Sequence, residues 1–354
     1  MWTCLYTACG GKTRTGCTAR PEPVKWLVAL LAVLVSAAPA AGEPAPLQLE
    51  ATVKLFHTGG RIDHMAVDLR RRKLFVAELG NGTVDVIDLA AHVVVGRIGG
   101  LNDPQGVGYS AAADRLAVAS AGDGTVRYYR GDTLAPAGVT ALGDDADNIR
   151  VDPRDGSFVV GYGRGGLAVL DPVSGARRMD VRLPAHPEGF QLDPDRPRAY
   201  VNLPDARQVV AVDLVTGRIA WTLPTGAARG NFPMAIASSD TALAVVFRSP
   251  AELMLIDRER GVIRARLPAC DDADDVFFDP KRRQIYVSCG GGVVDTWRWD
   301  GAAYRAMPPT PTAGGARTSL FVPELDRLFV AERAGLLGSE GAVRIYAPVG
   351  DGGR

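Results

Sequence analysis

Net charge is missing from this chain: 40 lysines and arginines balance 40 aspartates and glutamates over 354 residues, and no run of basic residues occurs. A nucleic-acid binder carries a basic stripe or patch, so nucleic acid is excluded as the expected partner. Long hydrophobic runs are missing too. The longest, residues 26 to 35 from Trp26 to Val35, is too short to span roughly 30 Å of hydrocarbon. It follows Lys25 and precedes Ser36-Ala37-Ala38-Pro39-Ala40-Ala41-Gly42, small residues that suit a signal peptidase. Residues 1–42 therefore read as a secretory signal cleaved near Ala40 to Gly42, with residues 1–23 an over-extension of a true start at Val24. The mature chain is expected in the periplasm or outside the cell, with no membrane span.

Cysteine is scarce. Cys4, Cys9 and Cys17 precede the signal and have no zinc-binding spacing, so the exported chain keeps Cys270 and Cys289 alone. Two cysteines in an oxidising compartment are expected to pair. Losing Lys12, Arg14, Arg20 and Lys25 with Glu22 leaves 36 basic and 39 acidic residues, a net charge of about −3.

Helical runs are lacking as well. From His186 to Leu223 the apolar stretches Gly189 to Leu192, Ala199 to Asn202, Val209 to Leu214 and Arg218 to Leu223 are separated by Asp193-Pro194, Leu203-Pro204-Asp205 and Thr216-Gly217. Proline fixes φ, aspartate bonds nearby backbone and glycine accepts positive φ, so these are turns between four antiparallel strands.

The unit repeats. Leu74-Phe75-Val76-Ala77-Glu78 returns as Leu328-Phe329-Val330-Ala331-Glu332, an offset of 254; Asp144-Asp145-Ala146-Asp147 returns as Asp271-Asp272-Ala273-Asp274, an offset of 127. Six and three units of about 42 residues account for both. Such a unit cannot bury both faces alone, and radial stacking is the usual solution. The fold class is all-β: a single seven-bladed β-propeller domain over residues 43–354. The last unit lacks a fourth strand, whereas Leu47, Leu49, Ala51, Val53 and Leu55 alternate with polar residues. This N-terminal strand, about 47–56, is expected to complete blade seven and close the ring.

On LFVAELGNGTVDVIDL (Leu74 to Leu89), AYVNLPDARQVVAVDLVTGRI (Ala199 to Ile219) and QIYVSCGGGVVDTW (Gln284 to Trp297), the chain resembles the YVTN-type, YncE-like β-propeller family of bacteria with forty-residue WD40-like repeats. The resemblance covers residue 47 to the end and implies fold more than function, since the family mixes binding and surface proteins with related enzymes. Blades five and seven depart from it, with Ser238-Ser239-Asp240 and Pro323-Glu324-Leu325 in place of the Asp-Pro turn.

Propellers set the first strand of each blade around the channel, so first-strand starts and second-strand ends share one face. That mouth collects His64, Glu78, Asp147, Asn148, His186, Glu188, Asn202, Asn231, Arg248, Asp274, Asp275, Arg317 and Glu332. Singly, Asp and Asn here serve loop backbone. Together, carboxylates beside Arg248 and Arg317 suit a small polar, anionic or polyhydroxylated ligand, or a partner protein. Calcium or another divalent metal is the sharper alternative, with His64 and His186 able to share an ion only at the channel centre. The opposite face carries Asp-Pro turns and arginine clusters, explained by turn geometry and solubility. No nucleophile elbow, phosphate cradle or His-Glu-x-x-His helix occurs. The chain is therefore read as a monomeric binding or scaffold propeller. The alternative is a metal-dependent hydrolase or lyase, using pairs such as His186 and Glu188 on one side of a strand; its likeness to lactonase-type propellers is one of inventory, because the spacing does not match.

Overall fold

The computed structural model describes residues 44–335 and 340–350. The expected signal segment and early start lie outside the described residues. Seven antiparallel sheets follow one another along the chain. Blade 1 comprises Met65–Asp68, Lys73–Glu78, Thr83–Asp88 and Val93–Ile98; blade 4, the stretch that gave the repeat away, comprises Phe190–Leu192, Arg198–Leu203, Gln208–Asp213 and Arg218–Pro224. Among the described residues the helical element is a single turn, Leu79–Asn81.

The ring closes as expected. Leu47–Leu55 pairs antiparallel with Gly341–Pro348, with Val53 opposite Val343, and becomes the outermost strand of blade 7. Blade 6 has a broken outer strand: Tyr304–Ala306 and Thr310–Pro311 both pair with Val293–Trp299. Pro308 and Pro309 stand in the gap, where they have no N–H to donate to a ladder.

Second strands are buried on both faces because each blade packs against two neighbours. Leu74 and Val76 join Val53, Phe329 and Ile345 in the layer between blades 7 and 1. Phe75 and Ala77, pointing the other way, join Val107, Leu116 and Val118 between blades 1 and 2. Aromatic rings bridge several layers, Phe75 to Tyr109 at 5.9 Å and Tyr286 to Phe321 at 5.3 Å. Fully burying one such Phe is worth about 1.5–3 kcal/mol.

Cys270 and Cys289 form a disulfide with Cα atoms 5.9 Å apart. It ties the approach to blade 6 to the end of that blade's second strand, where Cys289 lies opposite Ala273.

The arginine clusters of the opposite face do more than keep the protein in solution. Arg71 of blade 1 donates to Asp68 at 2.7 Å and crosses to blade 2, reaching Tyr109 at 2.9 Å and both oxygens of Asp114 at 2.8 Å. Arg282 of blade 6 likewise holds Asp279 and reaches Asp326 of blade 7 at 2.6 Å, and Arg196 of blade 4 pairs with Glu259 of blade 5. These are staples between consecutive blades.

Arg71 and Tyr109 hold the Asp114 carboxyl well below the usual range, and Arg282 does the same for Asp326. Their folded-state values lie below the unfolded value of about 4. The stability they lend is therefore complete above about pH 4 and lost as pH falls further. Thermal melts between about pH 5 and pH 3 should show a shallower acid-side decline for the Asp114→Asn, Asp326→Asn double variant than for the wild type. Parallel declines would remove the staples from the acid response.

Candidate functional site

The mouth is built by one local device repeated round the ring. Just before the first strand, Asp103, Asp145 and Asp272 adopt left-handed backbone with φ of 49°, 33° and 56°, and Gly230 and Gly315 do so at the matching places in blades 5 and 7. Aspartate visits this region because its short side chain can bond locally. This accounts for the repeated Asp-Asp-Ala-Asp: its second aspartate turns the chain and its last faces the channel. The register then slips between Pro104 and Val107, Ala146 and Ile149, Asn231 and Met234, and Ala273 and Asp275. Such bulges re-aim side chains.

The residues opposite the second-strand valines are Met65, Val107, Ile149, Phe190, Met234, Val276 and Ser319. Two residues before each stand Asp63, Gln105, Asp147, Glu188, Phe232, Asp274 and Arg317. All but Arg317 line one recess of about 60 Å³. Further along the same strands the channel widens to about 390 Å³, lined by Ala66, Gly108, Arg150, Gln191, Ala235, Phe277 and Leu320 among others. Packing at the mouth leaves no room for side chains on two glycines. A Cβ on Gly106 would lie 2.0 Å from the Asp147 carbonyl oxygen, and one on Gly189 would lie 2.1 Å from that of Phe232.

The fixed positive charge expected here is already spent on carboxylates, and that of Arg150 on an amide and a backbone carbonyl oxygen. Arg61 donates to Asp63 at 2.6 Å. Arg248 donates to Asp274 at 2.7 Å while its guanidinium lies 4.1 Å from the centre of the Phe232 ring. Arg317 holds Asp272 at 2.6 Å and Asp274 at 2.9 Å. Arg150 donates to Asn148 Oδ1 at 2.5 Å and to the Ile149 carbonyl at 2.8 Å. Asp63, Asp145, Asp147, Glu188, Asp272, Asp274 and Asp275 still outnumber these arginines, so the mouth is acid-rich.

Burial acts on these groups. Desolvation pushes the Asp63 and Asp275 carboxyls up, against the pull of His64 on the first and the Ser319 N–H on the second, and it lowers Arg150. Burial and then the Asp147 charge push Glu188 up to about 7. For His186, desolvation pulls down, but Asp147, the Gly163 carbonyl and Glu188 outweigh it and raise it to about 9.

His186 comes from the segment between blades 3 and 4. Its Nδ1 lies 2.5 Å from the Gly163 carbonyl and its Nε2 3.5 Å from Asp147 Oδ2. Asp147, His186 and Glu188 each present one ligand atom within 4.8 Å of the others. His186 and Glu188 precede the strand Phe190–Leu192 instead of lying on it, so they meet through a loop and not through strand alternation. His64 is outside this group, beside Asp63 at 3.7 Å.

Several expected mouth residues serve the scaffold. Glu78 is buried and accepts hydrogen bonds from Thr58 at 2.8 Å and Asn81 at 3.1 Å. Glu332 pairs with Arg344 on the adjacent strand at 2.6 Å. Asn202 donates to the Phe232 and Pro233 carbonyls of the next blade at 3.0 and 3.2 Å, and Asn231 donates to Asn202 Oδ1 at 3.2 Å. Arg61, Arg150 and Phe232 were not singled out from sequence. Phe232 follows from counting back from the second-strand valine, which needs the blade 5 bulge to be known, whereas Arg61 and Arg150 lie off that count.

No family model matches the chain, and no curated protein matches its sequence. Its fold is similar to a chain of the hydrazine synthase of Kuenenia stuttgartiensis, with a TM-score of 0.70 at 15% identity over 81% of this chain and 97% of that one. It is also similar to a chain of the mitotic checkpoint complex, with a TM-score of 0.73 at 12% identity over 96% of this chain and 99% of that one. At these identities the likeness is one of fold: both support a propeller. Among the described residues no helix is long and apolar enough to cross a membrane.

Removing the Asn202 amide would strip a donor from the Phe232 and Pro233 carbonyls and an acceptor from Asn231. Asn202→Ala should lower unfolding free energy by about 1–3 kcal/mol, read by denaturant titration. A loss well below that would show that water satisfies these carbonyls.

Proposed function

We propose that this chain is a binding propeller of the YVTN type, acting in the periplasm or outside the cell, whose mouth takes a small ligand that brings positive charge or hydroxyl groups. One observation carries the reading: the arginines in and around the recess already have carboxylate or carbonyl partners, while Asp147 and Glu188 meet at His186 with ligand atoms within 4.8 Å of one another. An anion would have to compete with those pairs, whereas a cation would relieve carboxylate repulsion. The expectation of an anionic ligand is therefore set aside. The disulfide favours an oxidising compartment. The repeat strings remain the support for family, and the fold is equally suited to holding a protein partner across the same face.

Thermal melts of the purified chain with spermidine and with citrate test the charge preference. Spermidine should raise the melting temperature in a concentration-dependent way, and citrate should not. Asp274→Asn, which leaves Arg248 and Arg317 with one carboxylate fewer, should weaken the spermidine response at least threefold. Stabilisation by citrate alone, or a spermidine response indifferent to Asp274, would overturn the proposal.

A further inference from the structure

We infer that Asp147, His186 and Glu188 bind one divalent transition-metal ion of the zinc or manganese class, at the side of the mouth where blade 3 meets blade 4. The inference rests on the reading of the mouth as a site for positive charge, and it names the ion and its ligands.

The backbone fixes the Nδ1 side of His186. Gly163 O is an acceptor only, so at 2.5 Å the Nδ1 must carry a hydrogen and donate it. This is the arrangement metal-bound histidines adopt, with one ring nitrogen held by a backbone carbonyl and the other exchanging its proton for the metal. Nε2 then faces the Asp147 carboxylate at 3.5 Å. A charge-assisted hydrogen bond would close to about 2.7–2.9 Å. Ligands about 2.0–2.1 Å from a tetrahedral ion lie about 3.4 Å apart along an edge, so the spacing fits a shared ion better than a shared proton.

The three ligands are held from separate places. Asp147 is 9% exposed and is aimed by the blade 3 bulge. Pro187 stands between His186 and Glu188 and packs so closely on Gly161 that a Cβ there would lie 3.0 Å from its Cγ. The Glu188 N–H is fixed on the Asn202 carbonyl at 3.1 Å. With every ligand atom within 4.8 Å of the others, closing on an ion needs only small side-chain rotations.

Chemistry sets the ion class. Calcium takes oxygen ligands, whereas one imidazole with two carboxylates suits zinc, manganese or ferrous iron. Three protein ligands leave positions open for water or for a ligand entering the mouth. Asp145, 3.6 Å from His186 Nδ1, and Arg248, near Glu188, flank the site and set its outer charge.

The test uses the purified chain stripped with chelator and titrated calorimetrically with zinc chloride and, separately, cobalt chloride and calcium chloride. One zinc or cobalt per chain is expected, with a visible cobalt band, and binding at least tenfold weaker in His186→Ala and Glu188→Gln. Glu332→Gln, on the same face but paired with Arg344, should bind as the wild type does. Should the site variants fail to fold, diethyl pyrocarbonate labelling of His186 in the wild type, read by mass spectrometry, should be blocked by zinc and not by calcium. No stoichiometric zinc or cobalt, zinc binding retained in both site variants, unprotected His186, or calcium binding as tightly as zinc would each overturn the inference. If metal fails while spermidine still stabilises through Asp274, the ion assignment falls and the cation-binding mouth stands; if both fail, both fall.

Discussion

Everything at the mouth depends on how closely consecutive first strands must approach around the channel. The Asp147 carbonyl of blade 3 occupies the space a side chain on Gly106 of blade 2 would need, and the Phe232 carbonyl of blade 5 does the same at Gly189 of blade 4. Backbone packed this tightly cannot carry regular strands to the rim, so the first strands of four blades bulge, and left-handed residues start them. The bulge turns side chains inward that strict alternation would have turned elsewhere. Polar groups gather at the mouth because the ring has to close.

Having gathered them, the fold has to manage their charge. Where arginine can reach, the carboxylates are paired: Arg61 with Asp63, Arg248 with Asp274, Arg317 with Asp272 and Asp274. Asp275 is instead held by the Ser319 N–H, and burial shifts it strongly towards the neutral form. Burial raises Glu188 as well, to about 7, and its carboxylate and that of Asp147 share the single imidazole of His186 within 4.8 Å. Two carboxylates share one imidazole, and so the remaining demand at this rim is for a cation.

Much of the fold was legible in the sequence. The offsets between Leu74 and Leu328, and between Asp144 and Asp271, fix the blade count, and alternation over Leu47 to Leu55 marks the strand that closes the ring. The site was legible only in part. His186, Asp147 and Glu188 were on the expected face, but so were Glu78, Asn202 and Glu332, which serve blade contacts. Sequence spacing tells which end of a strand a residue occupies; it does not tell which partner crosses from the next blade. Arg150 was hidden for a related reason. It follows Ile149 as an ordinary strand residue, and the first strands line the channel with consecutive residues, Ile149, Arg150 and Val151 among them, so alternation does not single it out. The arginines of the far face were misjudged likewise: Arg71 and Arg282 read as solvated charge until Asp114 and Asp326 of the following blades came within reach.

The most direct test of the acid-rich mouth as a cation site is an anomalous difference map, measured at the zinc edge on crystals grown with zinc. The account predicts a peak within about 2.0–2.2 Å of His186 Nε2 and of carboxylate oxygens from Asp147 and Glu188. Peaks confined to surface carboxylates, with His186 still facing Asp147 and no density between them, would contradict it.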